Sequence, residues 1–199
     1  MEPLFLGGHP AIDFINTTFC PQGERIEMIG SGAAFMDWLV RAELLPDAAA
    51  ARLKRRLGVQ GLDAVAGEAR VLRDWASRWI SRWSRDPDGD YRAELRRLNG
   101  FLHHAAYHRE IVSEGGQWQL RECSNTDSGE ELLAFVATQV ALLVTNEAPA
   151  LVKPCAGAGC TLWFLDRTKG HRRAYCSASV CGNRAKVAAF RAREKVRNA

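Results

Sequence analysis

Apolar residues recur at three- and four-residue steps from Val65 through Ala69, Leu72, Ala76, Trp79 and Ile80 to Trp83, which predicts a helix over 62–85. Trp75, Trp79 and Trp83 lie four apart and read as a helix–helix seam rather than an aromatic ligand box. From Ser31 a second pattern turns Phe35, Trp38, Leu39 and Leu45 inward. Pro46 begins a third, with Leu53 and Leu57 inward, broken at Gly58 and Gly61. The turn Asp86-Pro87-Asp88-Gly89 precedes a fourth pattern over about 90–112, which would bury Leu95, Leu98, Leu102, Ala105 and Ala106 until Gly115-Gly116 ends it. Ser128 with Glu131 forms a capping box ahead of Leu132, Phe135, Val136, Val140 and Val144. Near the start, Pro10 suits the first turn of a helix to about Thr18, with Ile12, Ile15 and Phe19 on one face. Extended stretches are few: a short one among the turn residues Pro21, Gly23 and Gly30, over 25–29, and another over 117–122, which together would make a small sheet.

The patterning changes after 146–154, where Pro149 and Pro154 mark a linker. Beyond it stand two C-x₄-C pairs, Cys155/Cys160 and Cys176/Cys181, across fifteen residues. Four thiolates so paired can close a tetrahedral Zn²⁺ site, and a site closed by four sulfurs has no place for a catalytic water. The zinc, one per chain, is therefore structural. Between the pairs, 161–165 is β-prone, Thr168-Lys169-Gly170 is a turn, and 172–175 returns, which predicts a hairpin. From Ser179 the pattern is helical, with Cys181 in the first turn. A knuckle, a hairpin and a ligand-bearing helix start describe a treble-clef-like module. Cys20 and Cys123 have no partners nearby in sequence and read as ordinary small residues.

Charge sharpens this division. The net charge is +4, but residues 153–199 hold eleven Lys or Arg against two acids, a net of +9, whereas residues 1–152 net −5. So basic a segment suits a polyanion. On the last helix Arg184, Arg191 and Lys195 align in one column at 100° per residue, and Lys186, Arg193 and Arg197 in another nearly opposite. Two columns favour phosphate clamping over base readout by one face. Arg172, Arg173 and Asn183 complete the candidate nucleic-acid contacts. The 47% hydrophobic content is ordinary for a globular protein, and the most apolar window, 132–144, is too short to span a bilayer. No basic start with an apolar run marks a signal peptide, so a cytoplasmic protein with no membrane partner is expected.

The run Cys176-Ser177-Ala178-Ser179-Val180-Cys181-Gly182-Asn183-Arg184-Ala185-Lys186 resembles the CGNR zinc-finger family, and Trp163-Phe164-Leu165-Asp166-Arg167-Thr168 fits it too. The opening Leu6-Gly7-Gly8-His9-Pro10-Ala11-Ile12-Asp13-Phe14-Ile15-Asn16-Thr17 resembles that of the ABATE domain, which usually precedes this finger and is labelled a stress-induced transcription regulator. The resemblance implies a bacterial, stress-responsive regulator that binds double-stranded DNA.

On the first helix Asp13, Asn16 and Thr17 share a face near His9. They could line a ligand pocket; they could equally tie down the following loop. His104 and His108 are spaced for a helical chelate, but no H-E-x-x-H or nearby carboxylate pattern completes a second metal site. No G-x-S-x-G, P-loop or dinucleotide fingerprint appears, so an enzyme is not expected. The expected fold is mostly α, in the α+β sense: a helical domain with a small sheet over 1–150, sensing a small-molecule effector, forming a homodimer, or both, then a zinc finger over 151–199. The alternative is a zinc-stabilised module that binds protein or RNA.

Overall fold

The computed structural model describes residues 4–20, 24–105, 107–124 and 127–197, with the side chains of 108 and 122–124 outside the described set. Pro21, Gly23 and Ala106, and the side chains of His108 and Cys123, therefore lie outside the described residues. Among the described residues the chain is mostly helical, with three two-stranded antiparallel sheets. Its elements are α1 (Pro10–Ile15), β1 (Thr18–Phe19), β2 (Ile26–Glu27), α2 (Gly32–Arg41), α3 (Asp47–Trp83), α4 (Arg92–Leu102), β3 (Tyr107–Glu114), β4 (Gln117–Ser124), α5 (Gly129–Asn146), β5 (Val152–Pro154), β6 (Trp163–Leu165) and α6 (Asn183–Arg197). No described helix is long and apolar enough to cross a membrane.

Two compact units form, and they do not follow chain order. The first gathers residues 1–29, 73–89 and 142–199; the second gathers 30–72 and 90–141.

In the second unit, α2 starts where Ser31 Oγ accepts from the Ala34 N–H at 3.2 Å. Phe35, Met36, Trp38 and Leu39 are buried along it. Helix α3 is kinked at Gly58, which is non-helical with φ +64°; Gly61 stays within the helix. The predicted helix over 90–112 is corrected. It ends at Leu102, and 107–114 pairs with 117–124 as a hairpin, Ile111 opposite Leu120. Gly115 and Gly116 both have positive φ, which the two-residue turn of a right-twisted hairpin requires. Tyr107, Ile111 and Val112 suit that strand better than a helix. His104 and His108 therefore do not share a helix. Of the expected buried positions Leu98 is buried, but Leu95 is exposed. The capping box forms: Glu131 N–H donates to Ser128 Oγ at 3.2 Å, and Ser128 N–H to Glu131 Oε2 at 3.0 Å.

In the first unit, α1 is shorter than expected. The Thr17 N–H and hydroxyl both bond to the Phe14 carbonyl and close the helix, and Thr18–Phe19 turns extended. Strand β1 then pairs with β2, so the segment around 25–29 does not join 117–122 in a sheet. The predicted hairpin between the cysteine pairs is also corrected. Strand β6 pairs with β5, Lys153 opposite Phe164, and 172–175 forms no strand. The first cysteine pair thus sits at the tip of a hairpin instead of before one. Arg73, 1% exposed, grips Glu27 with two hydrogen bonds of 2.6 and 2.8 Å and touches Thr17 Oγ1 at 3.3 Å.

Candidate metal centre and basic helix

The hairpin β5–β6 continues one rung past its strands, with Cys155 N–H bonded to the Leu162 carbonyl at 2.9 Å. Between them the chain must fold back on itself. The Cys160 N–H reaches the Gly157 carbonyl at 3.0 Å, and Gly159 takes φ +72°. A Cβ on Gly157 would come within 3.1 Å of the Cys181 sulfur, so glycine lets the knuckle close on the second pair without displacing that side chain. That pair is set by a wide turn over Ala178–Gly182. Ser177 caps it, accepting from the Val180 N–H at 3.2 Å, and the Gly182 N–H reaches back to the Ser177 carbonyl at 2.9 Å. An i+5 turn of this kind swings Cys181 inward just before α6 begins.

The four sulfurs of Cys155, Cys160, Cys176 and Cys181 lie within 4.8 Å of one another. Cys160 and Cys176 are 3.8 Å apart, Cys176 and Cys181 3.6 Å. A tetrahedron with zinc–sulfur bonds of about 2.3 Å has edges of about 3.8 Å. The cluster therefore suits a zinc ion. Burial opposes ionisation of Cys155, but the N–H groups of Cys176 and Gly157, 3.2 and 3.4 Å from its sulfur, outweigh it and lower its pKa. Burial and the neighbouring sulfurs push Cys160 up to about 11 and Cys176 higher still. Binding of a divalent cation would displace whatever protons these thiols carry. The site holds one structural zinc, and with four thiolates it carries a net charge of −2.

Around the sulfurs lies a bonded frame. Asp166 is fully buried. Its Oδ2 accepts from Lys153 Nζ at 2.8 Å and from the Arg173 N–H at 2.9 Å, and its Oδ1 accepts from Thr168 at 3.1 and 2.6 Å. Burial alone would raise its pKa; these bonds reverse that and hold it well below the usual carboxylate range. Arg173 lies with its guanidinium carbon 4.3 Å from the Phe164 ring centroid. It donates to the carbonyls of Tyr175, Leu6 and Cys176.

The polar residues of α1 belong to the same frame. Asn16 donates from Nδ2 to the Trp163 carbonyl at 2.8 Å and accepts from the Trp163 N–H at 2.9 Å. With Leu165 N–H on the Gly7 carbonyl at 2.7 Å, the outer edge of β6 is covered. Asp13 Oδ1 accepts from the Gly7 N–H at 2.7 Å, and burial raises its pKa to about 6. His9 Nδ1 caps α1 by accepting from Ala11 N–H at 3.1 Å, and burial lowers its pKa. Each of His9, Asp13, Asn16 and Thr17 thus has a backbone partner, and they hold the opening segment together and onto the finger.

One family model, described as "Putative stress-induced transcription regulator" (ABATE), matches residues 8–147. The chain belongs to the ABATE family. A second model, the CGNR zinc finger, matches residues 152–194. No curated protein matches the chain as a relative. The two family regions follow chain order, whereas packing joins the ABATE opening to the finger.

The candidate nucleic-acid residues fall into two groups. Arg173 is engaged within the protein: its guanidinium donates to three carbonyls and lies against a ring, so it braces the zinc loop. Arg197 pairs with Glu194 at 2.8 Å. Arg172, Asn183, Arg184, Lys186, Arg191, Arg193 and Lys195 are exposed. Helix α6 buries none of its residues; Val187, Phe190 and Val196 stand open beside its cations. Sequence reasoning missed Asp166, Lys153 and Arg73 as fastening points. Asp166 did stand inside the Trp163–Thr168 motif, where an acid in a strongly basic segment was the available signal.

Proposed function

We propose that this ABATE-family protein regulates transcription by binding double-stranded DNA through α6 and the adjoining finger loop. The observation that carries the reading is the exposure of α6 on all sides. Arg184, Lys186, Arg191, Arg193 and Lys195 project from a helix whose start is fixed by the zinc turn. Among the described residues no acid is paired with any of these five, whereas Lys153, Arg167 and Arg197 do have acidic partners. A helix of exposed cations suits the duplex backbone, and two columns of them suit phosphates along the strands. Asn183 and Arg184, at the start of the helix, are the candidates for contacts to base edges in this reading. Zinc serves this role structurally, by holding the start of α6, and no catalytic step is assigned to the protein. The expected setting is a bacterial cytoplasm under stress.

A second reading rests on Val187, Phe190 and Val196. Exposed apolar side chains on a basic helix also suit a protein partner. Selecting bound sequences from a random duplex pool with the zinc-loaded chain separates the two. Enrichment of a shared sequence supports DNA recognition. A pool that stays random, with no retention over single-stranded RNA, rejects it.

A further inference from the structure

The hairpin β3–β4 has two unlike faces. Residues opposite each other across the ladder share a side, and the sides alternate along each strand. With Ile111 opposite Leu120 and Ser113 opposite Trp118, one face carries Tyr107, Ile111, Leu120 and Trp118, with Arg109 and Ser113 among them. The described side chains of the other face are polar apart from Val112, and there Arg121 pairs with Glu114 at 2.8 Å. The apolar face is open. Trp118 is 83% exposed, Ile111 70%, Leu120 68% and Tyr107 49%. From Arg109 to Arg121 every residue except Val112 is exposed. Among the described residues no third strand joins the sheet. A lone hairpin is marginally stable in water, and an exposed apolar patch of this kind marks an interaction site.

The layout of this face suits a second copy of the chain. From base to tip it runs aromatic, cation, aliphatic pair, aromatic: Tyr107, Arg109, Ile111 with Leu120, then Trp118. Turned end for end, a copy lays Trp118 against Tyr107 at both ends, and Ile111 and Leu120 over the aliphatic stem of Arg109. Arg109 then avoids its own counterpart, which a copy stacked in the same direction would set against it. A large apolar side chain offers roughly 150–250 Å², so the exposures above leave about 500 Å² per copy and about 1,000 Å² across a pair. That area lies at the lower edge of specific interfaces and fits a dimer that dissociates on dilution.

We propose that the protein dimerises through this face, with two hairpins packed face to face in opposite directions about a two-fold axis. The four strands then form two layers that enclose a small apolar core, while the polar faces with their Glu114–Arg121 pairs stay in water. The same patch meets itself, so each substitution on it enters the interface twice.

The test uses the zinc-loaded full chain without DNA, so its result is independent of the reading of α6. Sedimentation velocity should show monomer at low micromolar and dimer at high micromolar concentration. Leu120→Lys should weaken association by at least about tenfold, because like charges then face each other across the axis. Gln119→Lys, its neighbour on the polar face, should leave association unchanged. Hydrogen exchange on the unmodified chain covers the case in which Leu120→Lys loses the hairpin: amides over 107–121 should slow as concentration rises. A benzoylphenylalanine photoprobe replacing Trp118, in light and heavy-nitrogen chains mixed, should cross-link between chains to the segment at Tyr107. Monomer throughout the range, equal loss of association with Gln119→Lys, exchange that ignores concentration, or cross-links joining position 118 to position 118 would each overturn the proposal.

Discussion

Asn16→Ala tests whether the opening helix and the finger are one energetic unit. The Asn16 side chain makes two hydrogen bonds, one with each backbone group of Trp163, across 147 positions of chain. Alanine leaves the Trp163 N–H and carbonyl without these partners on the covered edge of β6. An unsatisfied buried polar group costs about 1–3 kcal/mol, so the pair should cost roughly 2–4 kcal/mol after partial solvation. At about 2–4 °C per kcal/mol for a chain of this size, the melting temperature should fall by roughly 5–15 °C. Because zinc binds only the folded finger, the same loss should make zinc easier to strip, by up to about a hundredfold in chelator competition. The assay is urea unfolding at fixed free zinc, paired with chromophoric chelation. Asn16→Asp is the control: it keeps an acceptor for the Trp163 N–H but sets a carboxylate against the carbonyl. It should be no better than alanine. Stability within about 0.5 kcal/mol of the parent and unchanged chelation would refute the coupling.

Other outcomes follow from the same geometry. Replacing Arg191 and Lys195 together should reduce the magnitude of the log–log salt slope of DNA affinity by about 2, at about 0.9 per phosphate contact, with zinc retained; an unchanged slope removes α6 from the DNA interface. Arg73→Ala removes the buried guanidinium and its two hydrogen bonds to Glu27, which keeps only the Ile29 N–H, and should destabilise by about 1.5–3 kcal/mol in urea; a loss below about 0.5 kcal/mol would show the pair to be idle. For Asp13, the folded carboxyl titrates near 6 against a reference of 3.8, so the folded state binds the extra proton between those values. Its contribution to stability falls as pH rises through that window and is lowest above it, by roughly 3 kcal/mol. Carboxyl-carbon NMR should place its midpoint near 6, and a midpoint near 4 would contradict the burial. Protein expressed in zinc-replete medium should contain one zinc per chain, and Cys176→Ser should lose it.

The zinc centre was legible because metal chemistry leaves sequence-local marks. Two equally spaced cysteine pairs, a glycine-bearing loop and a serine before the second pair are all short-range signals. The capping box at Ser128 and the kink at Gly58 were legible for the same reason. The failures share a cause as well. Whether β6 pairs with β5 or with 172–175 depends on which partner carries the better edge, and Lys153 opposite Phe164 is invisible to periodicity. Leu98 fits a helical stripe, but the same stripe ran on into Tyr107–Val112, where the glycine turn decided for a hairpin. Arg173 looked like one more cation until its neighbours were known. Asn16 and Asp13 stood out as candidates either for a ligand or for tying down backbone; the Asn16 partner, Trp163, lies far along the chain, where no sequence pattern points.

That distance bears on how the molecule is made. Synthesis proceeds from the N-terminal side, and Asn16 emerges long before the strand it fastens. At about 5–20 residues per second, 147 positions correspond to roughly 7–30 s. During that interval the opening helix has neither its edge partner nor the sulfurs that Leu4, Leu6 and Phe19 pack against. The second compact unit, by contrast, is fully encoded by residue 141. The ribosome therefore delivers the second unit complete while the first still awaits residues 142–199.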